Sequence, residues 1–240
     1  MRRLIAPIAL TLLLPLGGCG ADDRTLTILA AASLTDVFEE LAVDFEEEHD
    51  VEVDLSFGSS TDLAAQAADG APSDVLATAD PESMAIAEGA GVVDRVRQFT
   101  ANRLLIVTTP DADVDGPADL ADVPWVRCAD EVPCGRVAVA LLAEQGITAE
   151  PVSLEEDVRA VLDKVTNGEA TAGLVYGSDA RSAGSAVRTV PIPGADRHLA
   201  SYRIATLDQA QDDELARDWV KLLTSEPGRA ALRRAGFVMR

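Results

Sequence analysis

The sequence is poor in positive charge. Its 240 residues contain 20 Lys and Arg against 41 Asp and Glu, so the formal net charge is −21 at pH 7 and the pI is about 4.3. So acidic a chain is not expected to bind nucleic acid or an anionic membrane surface. A small anion is not excluded as a ligand, because a closed site can bind it with neutral N–H and O–H donors.

Residues typical of enzymatic and metal sites are also scarce. The chain has two histidines and three cysteines, and it contains no GxSxG or HExxH motif. His49 lies in a charged run and His198 in a predicted loop. Ser178 precedes an aspartate, but no base accompanies the pair. The many acidic residues are interpreted as a solvated surface. The sequence therefore predicts that the protein is not an enzyme and needs no cofactor or metal.

The apolar run at residues 4–16 is too short to span a bilayer and follows the basic start Met1-Arg2-Arg3. This is the form of a secretory signal. It ends in Leu16-Gly17-Gly18-Cys19, which resembles a bacterial lipobox. The expected product has the signal peptide 1–18 removed, lipid on Cys19 and a tether at 19–24, on the extracytoplasmic face of the cell membrane. The alternatives are plain signal cleavage with an incidental cysteine, or an uncleaved anchor.

The rest of the chain is long enough for one large domain or two lobes. Strand-like and helix-like segments alternate without an internal repeat or a low-complexity segment, which predicts an α/β fold. The predicted strands cover 26–29, 51–57, 75–79, 102–108, 172–175, 187–192 and 202–206. The predicted helices begin at 34, 63, 81, 158, 212 and 227.

Two segments share an order of strand, small and hydroxyl residues, and helix. The apolar run 26–29 leads through alanines to Ser33, with Asp36 three residues on, as in a capping box. The strand at 51–57 leads to Ser60 and a second helix. In α/β sheets ligands bind where strands end and helices begin, and helix N-termini favour anions. Two such serines predict half of a tetrahedral anion site, although Ser33 could also be an ordinary N-cap.

Six short motifs occur in order along the mature chain: Ala31–Thr35, Ser56–Ser60, Gly70–Val75, Val132–Gly135, Glu156–Arg159 and Gly173–Ala180. Together they resemble the periplasmic molybdate-binding proteins of ABC importers, and the last motif is the most diagnostic. The resemblance implies a type II periplasmic binding protein whose two lobes close on a ligand cleft at a hinge. The implied first lobe is 25–104 with 203–240, and the second lobe is 105–202. The hinge would lie near 103–107 and 201–205.

The resemblance also implies which groups bind the ligand: the hydroxyls of Ser33 and Ser60, the backbone N–H groups of Cys134 and Val158, and the hydroxyl of Tyr176. Without the motif, Tyr176 would be interpreted as a tyrosine at the edge of the core. The implied function is capture of molybdate, and also tungstate, by a monomer that delivers it to an ABC permease. Another tetrahedral oxyanion such as sulfate, a chelated metal and an extracytoplasmic enzyme are the alternatives.

Cys134 departs from the family pattern, in which a small residue such as alanine is usual at this position. With Cys19 lipidated, Cys128 and Cys134 are the two cysteines that remain, and an exported chain allows disulfides. A disulfide between them would hold the loop that carries the Cys134 N–H and lower the cost of ordering it. Zinc is the alternative, but two thiols without a nearby histidine are too few ligands.

Overall fold

The computed structural model describes residues 24–239. The predicted signal peptide 1–18, the lipid-bearing Cys19 and the tether up to residue 23 lie outside the described residues. The strands are β1 (Thr25–Ala31), β2 (Glu52–Gly58), β3 (Val75–Thr78), β4 (Val93–Asn102), β5 (Leu104–Thr108), β6 (Trp125–Cys128), β7 (Ser153–Glu155), β8 (Ala172–Tyr176), β9 (Arg188–Pro191) and β10 (Ala200–Leu207). The helices are α1 (Thr35–His49), α2 (Ser60–Ala68), α3 (Pro81–Ala90), α4 (Pro133–Gln145), α5 (Val158–Thr166), α6 (Gly177–Ala183), α7 (Asp213–Thr224) and α8 (Glu226–Arg234).

The strands form two mixed five-stranded sheets. The first has the order β2-β1-β3-β10-β4 and the second β7-β6-β8-β5-β9. We call the first sheet with α1–α3, α7 and α8 the first lobe, and the second sheet with α4–α6 the second lobe. The chain passes to the second lobe after β4 and returns in β10. This confirms the predicted α/β, two-lobed fold.

The predicted lobe bounds remain a proposal, and the sheets bear on them at two places. β4 ends at Asn102 and β5 begins at Leu104, so the change of sheet falls at Arg103. β10 pairs with β4 from Ala200 onward. Ala200–Tyr202, which the predicted bounds put in the second lobe, therefore pair with the first sheet.

The single strand predicted over 102–108 is in fact the end of β4 and the whole of β5. Most of β4 was not predicted. Its first six residues are exposed or half-buried, and burial begins only at Phe99. Arg95 has a positive φ of 55°. With its apolar residues confined to one end, β4 lacks the regular alternation of a half-buried strand, and its formation depends on pairing with β10.

Aromatic residues hold α1 and α7 together in the first lobe. One face of α1 buries Phe38 and Phe45, and both rings meet Trp219 of α7 edge to face, with centroids 5.4 and 5.2 Å apart. In the same core Tyr202 of β10 contacts Tyr176 of β8, with centroids 6.2 Å apart. This last contact joins the two sheets close to the point where the lobes meet.

Candidate functional site

A small cavity lies between the lobes. The space inside it that can hold the centre of a water molecule is about 20 Å³. Its walls are formed by residues at strand ends and helix starts: Ala31, Ala32, Ser33, Gly58, Ser59, Ser60 and Ala79 of the first lobe, and Val132, Pro133, Cys134, Glu156, Asp157, Val158 and Tyr176 of the second. All five predicted ligand-binding residues are therefore brought to one cavity, although their contact with a ligand remains a prediction.

Helical segments of both lobes begin at this cavity. In the first lobe Ala31 pairs with Gly58 at the ends of parallel β1 and β2, so the helical turns that follow lie side by side. In the second lobe α4 begins at Pro133 and α5 at Val158. The first N–H groups of a helix have no partner within it, and the helix dipole is positive at that end. The convergence of helix starts therefore makes the cavity favourable for a small anion.

The capping interpretation of Ser33 is wrong. Ser33 lies inside a short 3₁₀ turn, Ala32–Leu34, and its side chain caps neither that turn nor α1. Its Oγ lies 2.6 Å from the hydroxyl oxygen of Tyr202. Burial raises the pKa of Tyr202, so this phenol stays protonated and can donate. When Tyr202 donates, the hydrogen of Ser33 is left for a ligand.

Ser60 is oriented in a similar way by the backbone. Its Oγ accepts a hydrogen bond of 3.0 Å from the N–H of Ala79, which also lines the cavity. An N–H group can only donate, so the hydroxyl hydrogen of Ser60 remains available. The site thus presents this serine as a donor, which is what a fully deprotonated anion requires.

Two hydroxyls lining the cavity are buried without a hydrogen-bond partner among the described residues, Tyr176 Oη and Ser59 Oγ. Burial raises the pKa of Tyr176 well above its usual value, so the hydroxyl remains a donor. An unpaired buried hydroxyl costs about 1–3 kcal/mol. A ligand in the cavity could satisfy both groups. Ser59 was not among the predicted residues; its position beside Ser60 in a strand-to-helix turn was the available signal.

The N–H donors of the second lobe lie at the starts of α4 and α5. The Asp157 carboxylate caps α5 by accepting from the N–H groups of Arg159 and Ala160, at 2.8 and 3.0 Å. The N–H of Val158, the first residue of the helix, is not among the partners of this cap. Cys134 follows Pro133 in the first turn of α4.

The loop that leads into α4 is held covalently. Cys128 and Cys134 are joined by a disulfide in the structure, as predicted, so the two thiols are not zinc ligands here. Gly135 allows the loop to pack closely, because a Cβ there would lie 1.7 Å from the carbonyl oxygen of Ala129. The first turn of α4 is thereby fixed beside the cavity.

The acidic groups near the cavity have different surroundings. Glu156 is exposed at its edge, and Asp157 is engaged in capping α5. Asp179 is fully buried, and burial raises its pKa to about 7 against the opposing effect of the Arg159 charge. One oxygen of Asp179 accepts from the N–H of Tyr176 at 3.2 Å. Asp179 therefore fixes the backbone that carries the tyrosine.

Within residues 24–239, no helix is both long enough and apolar enough to cross a bilayer. A family model described as bacterial extracellular solute-binding protein matches residues 26–238. The molybdate-binding protein ModA of Mycobacterium tuberculosis is 35% identical over 220 residues, which cover 89% of this chain and 84% of that protein.

Solved structures show the same fold. The periplasmic molybdate-binding protein of Azotobacter vinelandii superposes with a TM-score of 0.80 at 19% identity, over 90% of this chain and 99% of that one. The sulfate-binding protein SubI of M. tuberculosis superposes with a TM-score of 0.77 at 15% identity, over 89% and 86%. At such identities these two matches establish the fold and not the ligand.

Proposed function

This chain belongs to the ModA family of bacterial extracellular solute-binding proteins, and we propose that it captures molybdate and delivers it to an ABC permease. The family consists of binding proteins of transporters, so the chain is a binding protein and not an enzyme. The observation that carries the proposal is the interlobe cavity, where hydroxyls and helix starts from both lobes meet.

The chemistry of the proposed ligand contacts suits a tetrahedral dianion. The contacts are the hydroxyls of Ser33, Ser60 and Tyr176 with the N–H groups of Cys134 and Val158. Molybdate is fully deprotonated near neutral pH, so all its oxygens accept hydrogen bonds. Phosphate retains a proton near this pH, and leaving that O–H unpaired would cost about 1–3 kcal/mol. The proposed contacts include no carboxylate, so the site favours an anion without a proton.

Tungstate is included in the proposal because it has the shape and charge of molybdate. Sulfate is the second candidate, since it also lacks the proton and the fold is shared with a sulfate-binding protein. The 35% identity to a protein named for molybdate supports molybdate over sulfate. Molybdate and sulfate differ in size, so the fit of the anion to the walls of the cavity would discriminate between them.

We further propose that the mature chain is a monomer, held outside the cell by lipid on Cys19. The Leu16–Cys19 motif supports this attachment. Replacement of Cys19 by Ser should release the protein from the membrane fraction, and size-exclusion chromatography with light scattering should give the mass of one chain. A Cys19→Ser protein that stays in the membrane fraction would contradict lipid anchoring.

The binding proposal is tested by thermal melts of the chain from Ala21 onward. Molybdate, tungstate, sulfate and phosphate are added separately at one concentration. A ligand at a hundred times its dissociation constant stabilises by about 2.7 kcal/mol, a rise in Tm of several degrees. We expect the rise with molybdate and tungstate alone. A rise in Tm with sulfate instead would identify sulfate as the substrate. No rise in Tm with any of the four anions would refute an oxyanion ligand.

A further inference from the structure

One arginine joins the two lobes beside the cavity. Arg136 lies in α4 of the second lobe, and its guanidinium reaches side chains of the first. Nε donates to Asp80 Oδ2 at 2.7 Å, and one terminal nitrogen donates to Ser83 Oγ at 2.9 Å. A second contact between the lobes lies beside it: the hydroxyl of Thr61 in α2 donates to the backbone carbonyl of Glu131 at 3.0 Å. Arg136 also donates to that carbonyl.

The surroundings of this ion pair make it stronger than an ordinary surface pair. The Asp80 side chain is 7% exposed and the Arg136 side chain 29% exposed. Asp80 is also fixed by the backbone, since its other oxygen accepts from the N–H of Ser83 at 2.9 Å and caps α3. Charged hydrogen bonds that are shielded from water and made by a fixed partner stabilise more than exposed ones do.

Arg136 is adjacent to the ligand cavity without lining it. It follows Cys134 by two positions, and Asp80 directly follows Ala79, two residues that do line the cavity. Arg136 also donates to the Thr61 hydroxyl at 3.5 Å, and a separation of the lobes would break its contacts with Asp80, Ser83 and Thr61 together. These contacts therefore belong to the arrangement in which both lobes line the cavity.

We propose that Arg136 is a positioning residue that latches the two lobes together and so sets how long a bound anion is retained. The proposal rests on the proposed function, because it concerns release from the same cavity. Contacts made only when the lobes meet shift the equilibrium toward that state. A ligand leaves after the lobes separate, so loss of the latch raises the dissociation rate constant and leaves the association rate constant nearly unchanged.

A different role for Arg136 would give a different kinetic result. In a chain of net charge −21, a cation near the cavity could act by attracting the anion from a distance. Removing such a cation lowers the association rate constant and leaves dissociation unchanged. The two roles are thus separated by measuring the two rate constants and not the affinity alone.

The test compares Arg136→Gln, Arg136→Lys and Asp80→Asn with the wild type. We expect Arg136→Gln to speed release of radiolabelled molybdate about tenfold, equivalent to about 1.4 kcal/mol. Arg136→Lys should have a smaller effect, because it keeps the charge but not the planar fork of donors. Asp80→Asn keeps an oxygen to cap α3 and should also speed release. The variant that combines Arg136→Gln with Asp80→Asn should release molybdate no faster than the faster of the two single variants, since both changes break the same contact.

Two further variants serve as controls. Arg233 and Glu226 form an exposed ion pair within the first lobe, with 45% and 76% exposed side chains, so Arg233→Gln should leave both rate constants unchanged. Asp36 of α1 forms a second ion pair between the lobes with Arg159 of α5, and the Asp36 side chain is 53% exposed. Asp36→Asn should therefore speed release less than Arg136→Gln does.

A measurement without ligand tests the latch independently of anion binding. Small-angle X-ray scattering of the ligand-free chain should give a larger radius of gyration for Arg136→Gln than for the wild type. Unchanged release in Arg136→Gln, or slower association with unchanged release, would overturn the latch. If the wild type binds none of the four oxyanions, the proposed function fails and scattering alone decides: equal radii of gyration would overturn the latch.

Discussion

The Tyr176 hydroxyl offers the sharpest test of the binding site. Tyr176→Phe removes one oxygen and keeps the ring, which packs against Tyr202. This hydroxyl is buried and has no hydrogen-bond partner among residues 24–239. Its pKa is raised by burial, so it remains a neutral donor. Deleting it therefore removes an unsatisfied group from the free protein and, if the proposed contact exists, a donor from the complex.

The two effects have opposite signs. An unsatisfied buried hydroxyl costs about 1–3 kcal/mol, so the ligand-free variant should be at least as stable as the wild type, and more stable by up to that amount. A hydrogen bond to a charged acceptor contributes about 1.5–3 kcal/mol. Its loss should weaken molybdate binding by about 10- to 150-fold. Few side-chain deletions raise the stability of a protein while weakening its binding.

The assay combines thermal melts without ligand and titration calorimetry with molybdate. Tyr202→Phe is the matched control, because it deletes the hydroxyl of a second buried tyrosine that is hydrogen-bonded to Ser33 at 2.6 Å. We expect that control to lower the melting temperature. An unchanged dissociation constant in Tyr176→Phe would refute the proposed contact, and a lower melting temperature would refute the unsatisfied state of its hydroxyl.

Three other predictions concern the site and its supports. Ser33→Ala combined with Ser60→Ala should abolish tight oxyanion binding in calorimetry while the circular dichroism spectrum is retained; undiminished binding would contradict the site assignment. Burial raises the pKa of Asp179 to about 7, above its usual value near 4, so its contribution to stability is present below about pH 4 and is lost as the pH rises through about 7. Between about pH 4 and pH 7 the free energy of unfolding of the wild type, measured in urea, should therefore fall relative to that of Asp179→Asn. A difference between the two proteins that does not change with pH would refute the raised pKa. Cys128→Ser with Cys134→Ser should lower the free energy of unfolding by about 2 kcal/mol, and reductant should bring the wild type to the same value; a wild type insensitive to reductant would count against the disulfide.

Features that depend on neighbouring residues were predicted well. Helices α3 and α5 begin at the predicted residues 81 and 158, and the structure caps them with Asp80 and Asp157. A cap is made within three residues of the helix start, so its signal is contained in a short stretch of sequence. The disulfide joins residues six positions apart, and its pairing followed from the few cysteines available.

Features that join distant parts of the chain were missed or misread. The spacing of Ser33 and Asp36 is typical of a helix cap, but the partner of the Ser33 hydroxyl is Tyr202, 169 positions away. β4 was overlooked because its strand conformation depends on pairing with β10. The contacts of Arg136 with Asp80 span 56 positions and two lobes, and no local pattern records them.

The sequence by itself determined the α/β alternation, many of the strands and helices, and the serines that follow two of the strands, because hydrophobic period and helix capping act over a few residues. The tertiary structure decided which of those residues meet. Partners outside their own segments orient the hydroxyls of Ser33 and Ser60, and among residues 24–239 the buried hydroxyls of Ser59 and Tyr176 have no hydrogen-bond partner. The orientation and burial of a donor depend on the packing of two lobes, and that packing is a property of the whole chain.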